Sequence, residues 1–97
     1  MKMQSNPFTA ALRAGKPQIG LWISLADPYA AAAVATAGYD WVVIDCEHAP
    51  TELTDVMNIM NVFDATSTTA IVRPDWNDMV KVKRLMDLGA PGFMFPM

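Results

Sequence analysis

The chain has 97 residues, a formal net charge of -3, and a composition that is 53% hydrophobic and only 18% charged. That length allows one domain at most. The charge balance, with no basic run and no basic residues interleaved with aromatics, argues against a nucleic-acid partner. No apolar stretch approaches the roughly 18 residues that a membrane span needs. The single cysteine, Cys46, excludes an intrachain disulfide and fits a reducing cytoplasm. The opening Met1 to Pro7 has no apolar region of the kind a secretory signal carries. So apolar a composition in so short a chain predicts a piece of a larger folded body, or a chain that buries surface in an oligomer.

In chain order, Pro7 to Ala14 reads as a short helix, with Asn6 as N-cap, Pro7 in the first turn and Gly15 as the stop. Gln18 to Ser24 reads as a first strand. Asp27 and Pro28 open an alanine-rich helix that runs through Ala37 and is closed by Gly38. Trp41 to Glu47 is a second strand. A second long helix starts at Thr51, with Thr54 and Asp55 in its first turn and Leu53, Val56, Met57, Met60 and Phe63 at helical spacing. Thr69 to Arg73 is a third strand. Asn77 or Asp78 caps a further helix with Met79, Val82, Leu85 and Met86 on one face, and Gly89 ends it. Gly92 to Met97 is read as a fourth strand. The eight methionines, placed at helix and strand positions, are expected in the core.

Alternating strands and helices with short links predict parallel strands joined by right-handed crossovers. No Gly-x-Gly-x-x-Gly follows any strand, so a dinucleotide-binding fold has no support. A (β/α)8 barrel fits better but needs about 250 residues. The expectation is therefore an α/β chain forming the N-terminal part of such a barrel: about three βα units plus a fourth strand, one partial domain over residues 1–97.

The second strand carries the chemistry. Alternation places Trp41, Val43, Asp45 and Glu47 on one face and Val42, Ile44 and Cys46 on the other. In a barrel the Val/Ile face suits the helix layer and the Asp/Glu face points inward near the mouth. His48, the only histidine, follows at the start of the loop. A histidine near carboxylates can act as a general base near neutral pH; a surface histidine beside solvated rim carboxylates is the alternative. Arg73 ends the third strand. Burying it there is costly without an anion, so it either pairs with Asp45 or Glu47 or offers its planar fork to a carboxylate or enolate. Trp22 either walls the site or packs in the core. Asn77 near Trp76 reads as a helix cap, Cys46 as a small buried apolar group, and Asp87 at the end of its helix as a solvated charge.

Three stretches carry a resemblance: Phe8 to Trp22, Ala37 to Pro50, and Val72 to Asp78. In order and spacing they resemble the HpcH/HpaI family of metal-dependent pyruvate aldolases over essentially the whole chain. The resemblance implies a barrel that binds a divalent metal (magnesium, manganese or cobalt) and a small 2-oxo acid. Such an enzyme cleaves a 4-hydroxy-2-oxo acid to pyruvate and an aldehyde such as succinic semialdehyde. By the same resemblance His48 falls on the catalytic base and Arg73 on the residue that stabilises the pyruvate enolate. Asp45 falls on a nearby active-site carboxylate, and Glu47 on an outer-sphere residue that holds metal-bound water. Asp87 falls on a position that raises the basicity of the histidine, where it would reach a neighbouring subunit's site. The family's direct metal ligands, a Glu and an Asp, fall beyond Met97, as do a Gln and a glycine-rich segment that hold substrate. Relatives assemble as hexamers, which implies a homo-oligomer. The expectation is that the 97-residue chain alone is inactive. Rival readings are an aldolase acting on sugar acids, a lyase for acyl-CoA 2-hydroxy acids, and a non-catalytic fragment used in assembly.

Overall fold

The computed structural model describes residues 5–97. Its elements are α1 (Pro7–Arg13), β1 (Gly20–Ile23), α2 (Pro28–Ala35), β2 (Trp41–Asp45), α3 (Leu53–Phe63), β3 (Thr69–Arg73) and α4 (Met79–Asp87). The strands form one parallel sheet in the order β1-β2-β3. Sheet order follows chain order, so each helix between two strands is the crossover that joins neighbours.

The helix boundaries follow local chemistry. Asn6 Oδ1 accepts the Thr9 N–H at the start of α1, and Asp27 Oδ1 accepts that of Tyr29 at the start of α2. The cap of α3 is Glu52 rather than Thr51, and Asp55 Oδ2 accepts the Glu52 backbone N–H at 2.8 Å, as in a capping box. The cap of α4 is Asp78 and not Asn77, with Asp78 Oδ2 accepting the Lys81 N–H. Gly15, Gly38 and Gly89 all take positive φ just past helix ends, where a β-carbon would be strained.

Alternation along the strands sorts the residues as expected. Val42, Ile44, Ala70 and Val72 join Ala31, Val56, Ile59, Met60, Phe63 and Leu85 in the core between sheet and helices. Cys46 is partly buried against that core. The opposite face carries Trp22, Val43, Asp45, Ile71 and Arg73.

Several expectations need correction. β1 and β2 are shorter than the predicted 18–24 and 41–47, because ladder pairing starts at Gly20 and ends at the Asp45–Arg73 register. The helix α2 stops at Ala35, two residues early. The fourth strand is reduced: Val72 pairs with Phe93 alone, through the Val72 N–H to Gly92 O and the Met94 N–H to Val72 O. The methionines are mostly not core. Met60 is buried, but Met57, Met79, Met86 and Met97 are exposed, Met79 at 83%. Met1 and Met3 lie outside the described residues. Helical spacing brings Met79 and Met86 to the apolar side of α4, yet among the described residues nothing packs over that edge.

Candidate active site

The C-terminal ends of β2 and β3 meet at one register step, Asp45 opposite Arg73. Asp45 is the last residue of its strand and is only 2% exposed. A carboxylate so buried must find donors for its lone pairs, and Asp45 finds five. Its Oδ1 accepts the backbone N–H groups of Glu47 (2.9 Å) and His48 (3.1 Å) and the Nε–H of Arg73 (3.0 Å). Its Oδ2 accepts the Nη2–H of Arg73 at 2.6 Å and the indole N–H of Trp22 at 2.9 Å. Burial pushes the Asp45 carboxyl up, but hydrogen bonds from Arg73, Trp22 and the two amides outweigh that and hold it well below the usual carboxylate range. In turn the bond to Asp45 raises Arg73 further, against the opposing effect of its burial.

The two amide bonds to Oδ1 wrap the chain around Asp45 and set the start of the loop that carries Glu47 and His48. Glu47 Oε1 then lies 3.3 Å from Arg73 Nη1 and 3.1 Å from His48 Nε2. The imidazole and the guanidinium thus share one carboxylate oxygen. Arg73 is largely covered, whereas the His48 side chain is open to solvent. Arg73 commits its Nε–H and one Nη2–H to Asp45, which leaves N–H groups on Nη1 and Nη2 free for a further acceptor.

Five of the six residues singled out from sequence therefore converge: Trp22, Asp45, Glu47, His48 and Arg73. Asp87 does not. It is the last residue of α4, the helix that follows β3, and none of the hydrogen bonds or ion pairs that join the other five involves it. Trp22 is 43% exposed, sits outside the core cluster, and holds both Asp45 and Arg73, whose Cζ lies 4.7 Å from its ring centroid. The link from Trp22 to Asp45 spans 23 positions and depends on strand register, since Trp22 pairs with Val43, two residues before Asp45 on the same face.

Cys46 points the other way. Burial first, then the charges of Asp45, Asp75, Glu52 and Asp55, push its thiol up to about 12. A thiol that remains protonated is no nucleophile, so Cys46 stands apart from the site's chemistry.

Parallel βα units with an ionic cluster at the carboxyl ends of their strands are the arrangement expected of one part of a (β/α)8 barrel, a fold whose sites lie at the barrel mouth. A family model described as HpcH/HpaI aldolase/citrate lyase matches residues 18–97, and the chain belongs to that family. A curated relative from Salmonella arizonae, 4-hydroxy-2-oxo-heptane-1,7-dioate aldolase, is 47% identical over 92 residues, which are 95% of this chain and 35% of the relative. A crystal structure of an HpcH/HpaI aldolase/citrate lyase family protein from Burkholderia cenocepacia matches at a TM-score of 0.90 and 40% identity, covering 96% of this chain and 37% of that one. That of an HpcH/HpaI aldolase from Desulfitobacterium hafniense matches at 0.79 and 33%, covering 89% and 34%. The chain thus spans about a third of the length of the curated relatives it matches.

A divalent metal is expected in this family, and the described residues do not by themselves form a site for it. Among the described residues no three His, Cys, Asp or Glu side chains converge as a ligand set. Asp45, the most buried carboxylate, already accepts five N–H groups on its two oxygens and has no lone pair left to offer.

Proposed function

We propose that this chain is the first part of a carbon–carbon lyase barrel that cleaves a 4-hydroxy-2-oxo acid to pyruvate and an aldehyde such as succinic semialdehyde. The observation that carries the reading is the shared Glu47 oxygen, which brings His48 and Arg73 to one rim at the ends of adjacent parallel strands. In the cleavage direction His48 accepts the proton of the 4-hydroxyl. The C3–C4 bond then breaks, the aldehyde leaves, and its electron pair becomes the enolate of pyruvate. Arg73 stabilises that developing oxyanion with its free N–H groups, while Asp45 fixes the guanidinium and remains ionised throughout. Charge stabilisation aimed at a forming oxyanion commonly lowers the barrier more than any other single effect in such catalysis. Asp87 is assigned to the site of a neighbouring subunit in a homo-oligomer. A divalent metal (magnesium, manganese or cobalt) would take its direct ligands from segments outside these residues, with Glu47 as an outer-sphere residue, and would supply Lewis-acid stabilisation of the enolate oxygen.

In the protein that carries this chain, Arg73→Ala is expected to lower turnover about 10²- to 10³-fold, and His48→Ala about 10²- to 10⁴-fold. Near-wild-type cleavage in Arg73→Ala would remove that residue from the mechanism. Assays with pyruvate plus succinic semialdehyde, against sugar-acid substrates and acyl-CoA 2-hydroxy acids, decide among the substrate classes. The 97-residue chain by itself is expected to turn over none of them with any of the three metals. Robust pyruvate release from it would contradict the reading that its site is completed from elsewhere.

A further inference from the structure

A bidentate ion pair leaves a guanidinium one soft motion. Two parallel N–H···O bonds fix its distance from the carboxylate, yet the plane can still hinge about the line through the two oxygens. In this site a third contact opposes the hinge. The Trp22 ring lies 4.7 Å from Arg73 Cζ, and the same indole donates to Asp45 Oδ2, the oxygen that also accepts from Arg73 Nη2. The indole therefore touches both halves of the ion pair, and rotating it away would break both contacts together.

We propose that Trp22 is a positioning residue of this site, one that fixes the plane in which Arg73 presents its free N–H groups rather than recognising substrate by contact. The inference rests on the lyase reading above. Packing alone accounts poorly for this tryptophan. Its polar atom is spent on the most deeply buried carboxylate of the site, which packing of the ring does not require. A cation against an indole face is attracted to it even where water has access. The N–H bond fixes which face is offered. Since Arg73 is the group that meets the forming oxyanion, a tilt of its plane is felt in the transition state more than in ground-state binding.

The test uses the protein carrying this chain, with Trp22→Phe, which keeps a ring and removes the N–H donor. We expect kcat to fall about tenfold while KM changes less than about threefold. The same factor is expected for aldehyde products of different length. In an Arg73→Lys background, where there is no guanidinium plane to hold, Trp22→Phe should add less than about a twofold loss. A second readout is independent of turnover. The indole N–H resonance of Trp22, assigned by its disappearance in Trp22→Phe, should exchange with solvent at least about tenfold more slowly than that of a freely exposed indole.

An unchanged kcat overturns the proposal. So does a loss confined to KM that varies with aldehyde length, which would make Trp22 a pocket wall. So do losses that multiply in the Arg73→Lys background, or fast indole exchange. If the wild-type protein cleaves no 4-hydroxy-2-oxo acid while the indole N–H stays protected, the reaction assignment fails and the Trp22–Asp45–Arg73 contact stands.

Discussion

Replacing Arg73 by alanine strips Asp45 of two of its five donors, both of them charge-assisted, and leaves a buried carboxylate without its counter-charge. Breaking a buried pair from one side costs about 3–5 kcal/mol. Here the Trp22 indole and the Glu47 and His48 amides still serve Asp45, which places the loss at the lower end, about 3 kcal/mol. Domains are commonly stable by only about 5–15 kcal/mol, so the variant should unfold at visibly lower urea concentration at pH 7. Adding Asp45→Asn removes the stranded charge and should recover about 1–2 kcal/mol of that loss.

The acid limb supplies a second check. Asp45 has an ordinary value of 3.8 and is held below it in the folded state. Below 3.8 the unfolded chain therefore binds a proton that the folded chain does not, so stability rises with pH in that window. The contribution is complete above about pH 5 and drains away as pH falls through the depressed folded value. Without Arg73 the folded carboxyl moves up, and the slope of stability against pH between about 4 and 2 should shrink. A loss under about 1 kcal/mol at pH 7, with an unchanged acid slope, would refute the claim that Arg73 is the principal partner of Asp45. The same experiment governs the kinetic one, since loss of turnover in Arg73→Ala is informative only at temperatures where that variant is folded.

Two further outcomes follow from packing and titration. At Gly20, which pairs with Trp41, a β-carbon would collide with the Trp41 ring; that ring also packs on Phe8, with centroids 5.2 Å apart. Gly20→Ala should cost about 1–3 kcal/mol and change the tryptophan fluorescence, and a neutral result would mean that the ring has room to move aside. Cys46, with its thiol at about 12, should react with a thiol-specific disulfide at pH 8 at least about a hundredfold more slowly than a free thiol. Labelling that keeps pace with a free thiol in the folded protein would show that the sulfur is not held as described.

Local chemistry is legible wherever one residue decides an outcome. Asn6 and Asp27 cap the expected helices, and the glycines at 15, 38 and 89 stop them. Alternation in β2 separates Val42 and Ile44 from Val43 and Asp45. Legibility fails where a second segment decides. Asn77 and Asp78 are both competent caps, and only the entry path of the chain into α4 selects Asp78. Spacing identifies the apolar side of α4 but not what lies over it, and among the described residues nothing covers Met79 and Met86. At the site, Asp45, His48 and Arg73 are readable from their strand ends. Their bonding is not: Arg73 leaves two readings open, ion pair or substrate fork. The geometry shows the pair with Asp45, and donors are left over for a ligand. The Trp22 bond requires the β1–β2 register, which no local pattern reports.

The facing of Asp45 and Arg73 at one ladder step has an evolutionary consequence. Adding or deleting a residue inside β2 or β3 would turn one of the two side chains to the opposite face of the sheet and strand its charge among aliphatic neighbours. Beyond the Glu47–His48 segment, α3 and the turn that follows it can lengthen or shrink without touching that ladder. Insertions and deletions in descendants of this chain should therefore collect between strands and be purged within them, with the ion pair as the agent of that selection.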